Sequence, residues 1–294
     1  MPDFGDAERR ILAYFTLGTK FEFKNKVFEV IEAGKPTCPH GEPKTDIYIL
    51  AQSGFEKEEI KISYKKENAD FLENKTNSER AEQLFGKEWR NVIEESTRSI
   101  EKQFREKPLI YKQQKGRTEK GAITLGWKFE LLNKPGGELS GKMNLTEKQV
   151  YDVYAGTNLS PEKKDASVNG HIIENSGVAD YILMVDNVNS AQDIINRMVP
   201  IYEYIKLHPN IYFACKALNY RTFREKYDGN RPLSVQVDWT VTDGRLTHDL
   251  VFNKPLEMNG DETAKRLLTC MNILSIKTTD DVKKDNSEMK NIHE

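Results

Sequence analysis

Residues 41–52, GEPKTDIYILAQ, and residues 59–66, EIKISYKK, decide how this chain is read. The first stretch is an apolar run that opens at Asp46. The second follows a short polar break around Gly54 and alternates, with Ile60, Ile62 and Tyr64 on one side and Glu59, Lys61, Ser63 and Lys65 on the other. A period of two marks a strand with one buried face. The short connection makes the two strands antiparallel neighbours that turn near Phe55, so Asp46 lies opposite residues 63–65. The polar row then has two readings. It is the solvated, lysine-bearing outer face of an edge hairpin, a device against aggregation, or it is one wall of a polar site.

Outward from the hairpin, residues 6–17 carry apolar positions at helical spacing. Residues 20–34 alternate and read as one long strand, or as two turning at Lys24-Asn25-Lys26. A helix is expected from residue 76, capped by Thr76, Asn77 or Ser78, with helical sequence continuing to about 104. Further on come a strand at 122–132, a capping box at Thr146, and a buried strand at Tyr181-Ile-Leu-Met-Val. They are followed by a helix at 191–206 bent at Pro200, a hairpin around Asp243-Gly244, and a closing helix from Asp261. The order predicts an α/β or α+β fold, a mixed central sheet flanked by helices. A single domain is expected over 1–276, its core at about 5–190, and the polar tail 277–294 reads as disordered.

The chain has 294 residues, 44 basic and 46 acidic, so its net charge of -2 favours no partner class and the distribution matters more. No apolar run approaches the ~20 residues of a membrane helix, and the polar N-terminus lacks the pattern of a signal peptide. A cytoplasmic location with no membrane partner is the expectation. Cys38, Cys215 and Cys270 are too sparse for a disulfide framework, and Cys38-Pro-His40 has no second ligand pair at zinc spacing. No P-loop, Gly-x-Gly-x-x-Gly or Gly-x-Ser-x-Gly occurs.

Asp46, Ser63 and Lys65 converge at one end of the hairpin, and Glu79, near the start of the next helix, is in reach of a short return. Two carboxylates beside a lysine suit a hard divalent cation, with the lysine opposing developing phosphate charge. An acidic residue opening one strand, followed by an acid or serine, any residue and lysine on its neighbour, resembles the PD-(D/E)xK nucleases, of which type II restriction endonucleases are the best-known members. Lys44-Thr-Asp46 stands where that family usually has Pro-Asp, with Pro43 close by. Two registers are open. Glu59-Ile-Lys61 has the usual spelling. Ser63-Tyr-Lys65 matches a variant in which Glu79 takes over the role of the missing acid, and it sits nearer Asp46. The resemblance implies a restriction-endonuclease-like sheet, Mg²⁺ held by Asp46 and Glu79 or Glu59, phosphodiester hydrolysis, and often a homodimer.

Such an enzyme needs a phosphate-tracking surface. Residues 101–145 hold ten Lys or Arg against five Glu, with Lys115 and Arg117 in a Gly-containing loop. Residues 213–255 bring Asn219, Tyr220, Arg221 and Arg224, and Lys75, Asn77 and Arg80 follow the hairpin. Arg and Asn read base edges and Tyr stacks. These residues and the two segments are the expected contacts to double-stranded DNA. The alternative is a non-catalytic nucleic-acid-binding or assembly protein that uses a similar sheet.

Overall fold

In the computed structural model, which describes residues 4–74 and 76–294, the hairpin forms as its pattern requires. Strand β3 (Ile47–Ser53) and strand β4 (Glu56–Lys65) pair antiparallel, Ile47 opposite Ile62 and Ser53 opposite Glu56. The turn is Gly54-Phe55, with Gly54 at a φ of 61°, the left-handed value that a Gly-first hairpin turn needs. Upstream, helix α1 (Phe4–Leu12) precedes strands β1 (Lys20–Phe23) and β2 (Lys26–Gly34). Lys24 and Asn25, with φ of 50° and 61°, form the tight turn between β1 and β2.

The contacts divide the chain into two compact units where one domain was expected. The first comprises Met1–Asp70, Gln83–Gly86 and Leu145–Pro209, the second Phe71–Glu82, Lys87–Asn144 and Asn210–Glu294. The first unit is built on a six-stranded mixed sheet in the order β1-β2-β3-β4, then Tyr181–Met184, then Val199–Pro200. Tyr181–Met184 runs parallel to β4, Tyr181 beside Ile62 and Met184 beside Lys65. β4 is therefore an interior strand, hydrogen-bonded on both sides, and the edge-hairpin reading is overturned. Its inward row, Ile60, Ile62 and Tyr64, joins Ile47, Ile49, Phe28 and Leu183 in one apolar core. α1 covers that core with Ala7 and Ile11, and the helix Ala191–Arg197 covers it with Ala191, Ile194 and Ile195. Pro200 ends this helical stretch instead of bending it. The helix stops at Arg197, Val199–Pro200 pairs with Tyr181–Met184, and a new helix, Ile201–Leu207, follows.

In the second unit the strand Ala122–Leu132 is buried at every position but Lys128. It lies between Tyr212–Arg221 and Val235–Thr242, the latter turning at Asp243-Gly244 into Arg245–Val251. Phe129 stacks on Phe213 at 5.4 Å, and Phe104 meets Trp127 edge-on at 5.0 Å. The tail expected to be disordered is ordered. Val282 is fully buried, and Ile292–His293 pairs in parallel with Ile110–Tyr111. Scattered apolar residues anchor a segment whose composition is polar. Among the described residues, no helix is long and apolar enough to cross a membrane.

Candidate active site

The approach to Asp46 is held by backbone. The N–H groups of Lys44 and Thr45 donate to the Gly177 carbonyl at 2.9 and 3.2 Å, and the Asp46 N–H donates to the Ile62 carbonyl at 2.9 Å. A Cβ on Gly177 would lie 1.8 Å from the Lys163 carbonyl oxygen, so only glycine fits there. Asp46 ends the β3 side of the ladder with its side chain. Its Oδ2 accepts the Tyr64 N–H at 2.7 Å and the Ser63 hydroxyl at 3.5 Å.

Burial pushes the Asp46 carboxyl up to about 6, and the negative Glu8 adds to the rise, against the Lys65 ammonium, the Tyr64 N–H and Lys35. Two acidic and two basic side chains thus share this end of the sheet. Glu8 comes from α1 and pairs with Lys35, just past β2, at 2.5 Å. The sequence reading missed Glu8 and Lys35. Glu8 adjoins the apolar Ala7 and Ile11 positions of α1, but only the packing of α1 on the sheet brings it to Asp46.

The structure separates the two registers. Lys65 is partly exposed beside Asp46, and Ser63 is only 5% exposed. Glu59 and Lys61 belong to a different cluster. Glu59 accepts the Tyr48 hydroxyl at 2.8 Å. Lys61 is 9% exposed; its Nζ lies 3.2 Å from Asp180 and donates to the Asn175 carbonyl at 3.3 Å. That ion pair ties the segment before Tyr181–Met184 to β4. Glu79, in the helix Ser78–Phe85, belongs to the second unit, whereas Asp46, Ser63 and Lys65 belong to the first. Within the first unit Glu8 is a carboxylate close enough to raise the Asp46 carboxyl.

The expected DNA contacts fare unevenly. Lys75 lies outside the described residues. Asn77 caps the helix Ser78–Phe85, its Oδ1 accepting the Arg80 N–H at 2.7 Å, and Arg80 pairs with Glu73 at 2.7 Å. Lys115 and Arg117 stand exposed on a tight turn closed by the Lys115 and Thr118 backbones. Asn219 and Tyr220 are buried, which corrects their expected role at bases. The Asn219 amide accepts from Thr124 and donates to Asp228. Arg221 is held between Glu119 and Asp228, and Arg224 pairs with Glu119 at 2.8 Å. Two carboxylates thus occupy the guanidinium groups that were expected to meet phosphates.

No protein-family model, curated protein or solved structure matches the chain. Among the described residues, no group of three or more His, Cys, Asp or Glu is arranged to hold a metal ion. Glu8 lies within electrostatic reach of Asp46, and two carboxylates with water and substrate phosphate are a donor set that suits Mg²⁺.

Proposed function

We propose that this chain is a Mg²⁺-dependent nuclease of the PD-(D/E)xK kind that hydrolyses phosphodiester bonds in DNA. One observation carries the reading. Where β4 runs beyond the start of β3, the Asp46 carboxyl is held by the Tyr64 N–H and raised to about 6 by burial, with Glu8 and Lys65 within electrostatic reach. Asp46 and Glu8 would hold the cation. When bound, Mg²⁺ offsets phosphate charge and makes a water more acidic. The chain's own groups do the rest. The Tyr64 N–H orients Asp46, Lys35 fixes Glu8, and the Lys65 ammonium opposes charge developing on the phosphate. The mixed sheet, with the motif on interior strands, supports the restriction-endonuclease-like fold. A sequence-specific type II enzyme acting as a homodimer on double-stranded DNA is the finer form of the proposal, since a palindromic target has two-fold symmetry.

The test is digestion of unmethylated phage DNA with Mg²⁺, with EDTA, and with the Asp46→Ala, Glu8→Gln and Lys65→Ala variants. Discrete bands that need Mg²⁺ and vanish in all three variants are expected. A smear would keep the chemistry and remove the sequence specificity. No cleavage of modified DNA, unmodified DNA or RNA would overturn the reading.

A further inference from the structure

A groove of about 370 Å³ opens between α1 and the residues that follow Tyr181–Met184. Its walls are Ala7, Ile11, Tyr14, Tyr64, Val185 and Val188. Both tyrosine hydroxyls are spent on backbone: Tyr14 donates to the Val188 carbonyl at 3.1 Å and Tyr64 to the Val185 carbonyl at 3.0 Å. The rings are thereby fixed as apolar walls instead of serving as polar ligands. The rim carries the exposed Arg10, Asn187 and Asp186. Asp186 accepts the Glu67 N–H at 3.3 Å, and the Asn187 carbonyl accepts from Arg197 at 2.8 Å.

The groove and the candidate site share Tyr64. Tyr64 lines the groove with its ring and holds Asp46 with its N–H, and Glu8 lies within electrostatic reach of both Asp46 and Tyr64. The volume is at the low end of the ~300–1,000 Å³ of small-ligand clefts. That is room for one nucleoside and too little for a base pair. The exposed, fixed Tyr14 ring suits a base, an amide offers both donor and acceptor to its edge, and a guanidinium suits the flanking phosphate.

We infer that this groove receives one nucleoside of the strand lying across Asp46, its base turned out of the stack; the inference rests on the nuclease reading. Arg10 holds the neighbouring phosphate and Asn187 the base edge, so the groove contributes to choosing where the strand is cut.

The experiment is fluorescence anisotropy of a short labelled single-stranded DNA with the full chain in EDTA, where no cleavage occurs. An RNA of the same sequence forms a second arm and tells which sugar the groove accepts. Ala13→Trp, at an exposed groove position, fills the groove, and Asn187→Ala removes only an exposed amide. Both variants should keep the far-UV dichroism of the parent. Ala13→Trp should weaken binding about tenfold, the scale of one lost base stack, and Asn187→Ala should weaken it less. An abasic site at one position of the DNA should cost the parent the same factor and cost Ala13→Trp nothing more. Undiminished binding by Ala13→Trp and Asn187→Ala, or an abasic loss that adds in full to that of Ala13→Trp, would overturn the inference, as would no binding by the parent. Groove-dependent binding without Mg²⁺-dependent cleavage would remove the nuclease reading and leave the groove. Cleavage with groove-independent binding would do the reverse.

Discussion

Asp46 is the residue on which the proposed chemistry turns, and its environment sets its pH behaviour. Burial and Glu8 raise its carboxyl to about 6 from an ordinary value of 3.8. Between about pH 4 and 6 the folded chain therefore holds a proton that the unfolded chain has lost. Stability tied to this group is present below about pH 4 and falls as the pH rises through 6. Asp46→Asn, which keeps an acceptor for the Tyr64 N–H, should stabilise the protein by roughly 1–2 kcal/mol at pH 8 after discounting for partial exposure. The gain should shrink as the pH is lowered and be gone near pH 4, as read by urea denaturation across that range, while cleavage is lost throughout. Lys61 and Lys65 of β4 should separate cleanly. Lys65→Met should cut the rate by about 100-fold or more and change stability by less than about 1 kcal/mol. Lys61→Met strands Asp180, so it should cost about 1–3 kcal/mol and leave the turnover of the folded fraction nearly unchanged. Paired denaturation and cleavage assays on both variants check this.

At the scale of elements, the hairpin was legible because its evidence is local. Alternation from Ile60 to Lys65, a Gly-first turn and Asp46 at the strand start define pairing and register without outside help. Its position in the sheet was not legible, because the parallel neighbour Tyr181–Met184 lies more than a hundred residues downstream. That neighbour removes the outer-face reading of the polar row and leaves Lys61 and Ser63 buried. Gly177 is the device that aligns the approach to Asp46, and nothing in its sequence surroundings announces it. Gly177→Ala should push the Lys163 carbonyl away, cost about 3 kcal/mol or more, and lower cleavage together with stability. Thermal unfolding and cleavage of this variant test the coupling. The loop arginines show the opposite limit. Arg224 reads as a phosphate contact by composition, yet its partner Glu119 comes from 105 residues upstream.

For the whole molecule, the chain passes between its two units repeatedly, and neither unit is a continuous segment. A fragment ending at residue 144 keeps β1–β4 but lacks Tyr181–Met184, so the β4 edge and the core residues Leu183, Val185 and Ile194 go unsupplied. That fragment should fail to give a cooperative unfolding transition, whereas the full chain should give one; circular dichroism during heating distinguishes them. By itself the sequence determined the periodic elements, the hairpin register, the turn at Asp243-Gly244 and the Thr146 capping box, and it offered the Lys24-Asn25 turn and the Asn77 cap among alternatives. Each of these depends on hydrogen bonds and burial within a few residues of chain. Only the tertiary structure decided that β4 lies inside the sheet, that Glu8 and Lys35 join Asp46 and Lys65, that Glu59 and Lys61 serve a separate cluster, and that the tail is ordered. Those outcomes depend on which distant segment supplies the opposing charge or apolar face, and in a chain with 90 charged side chains many pairings satisfy local chemistry equally well.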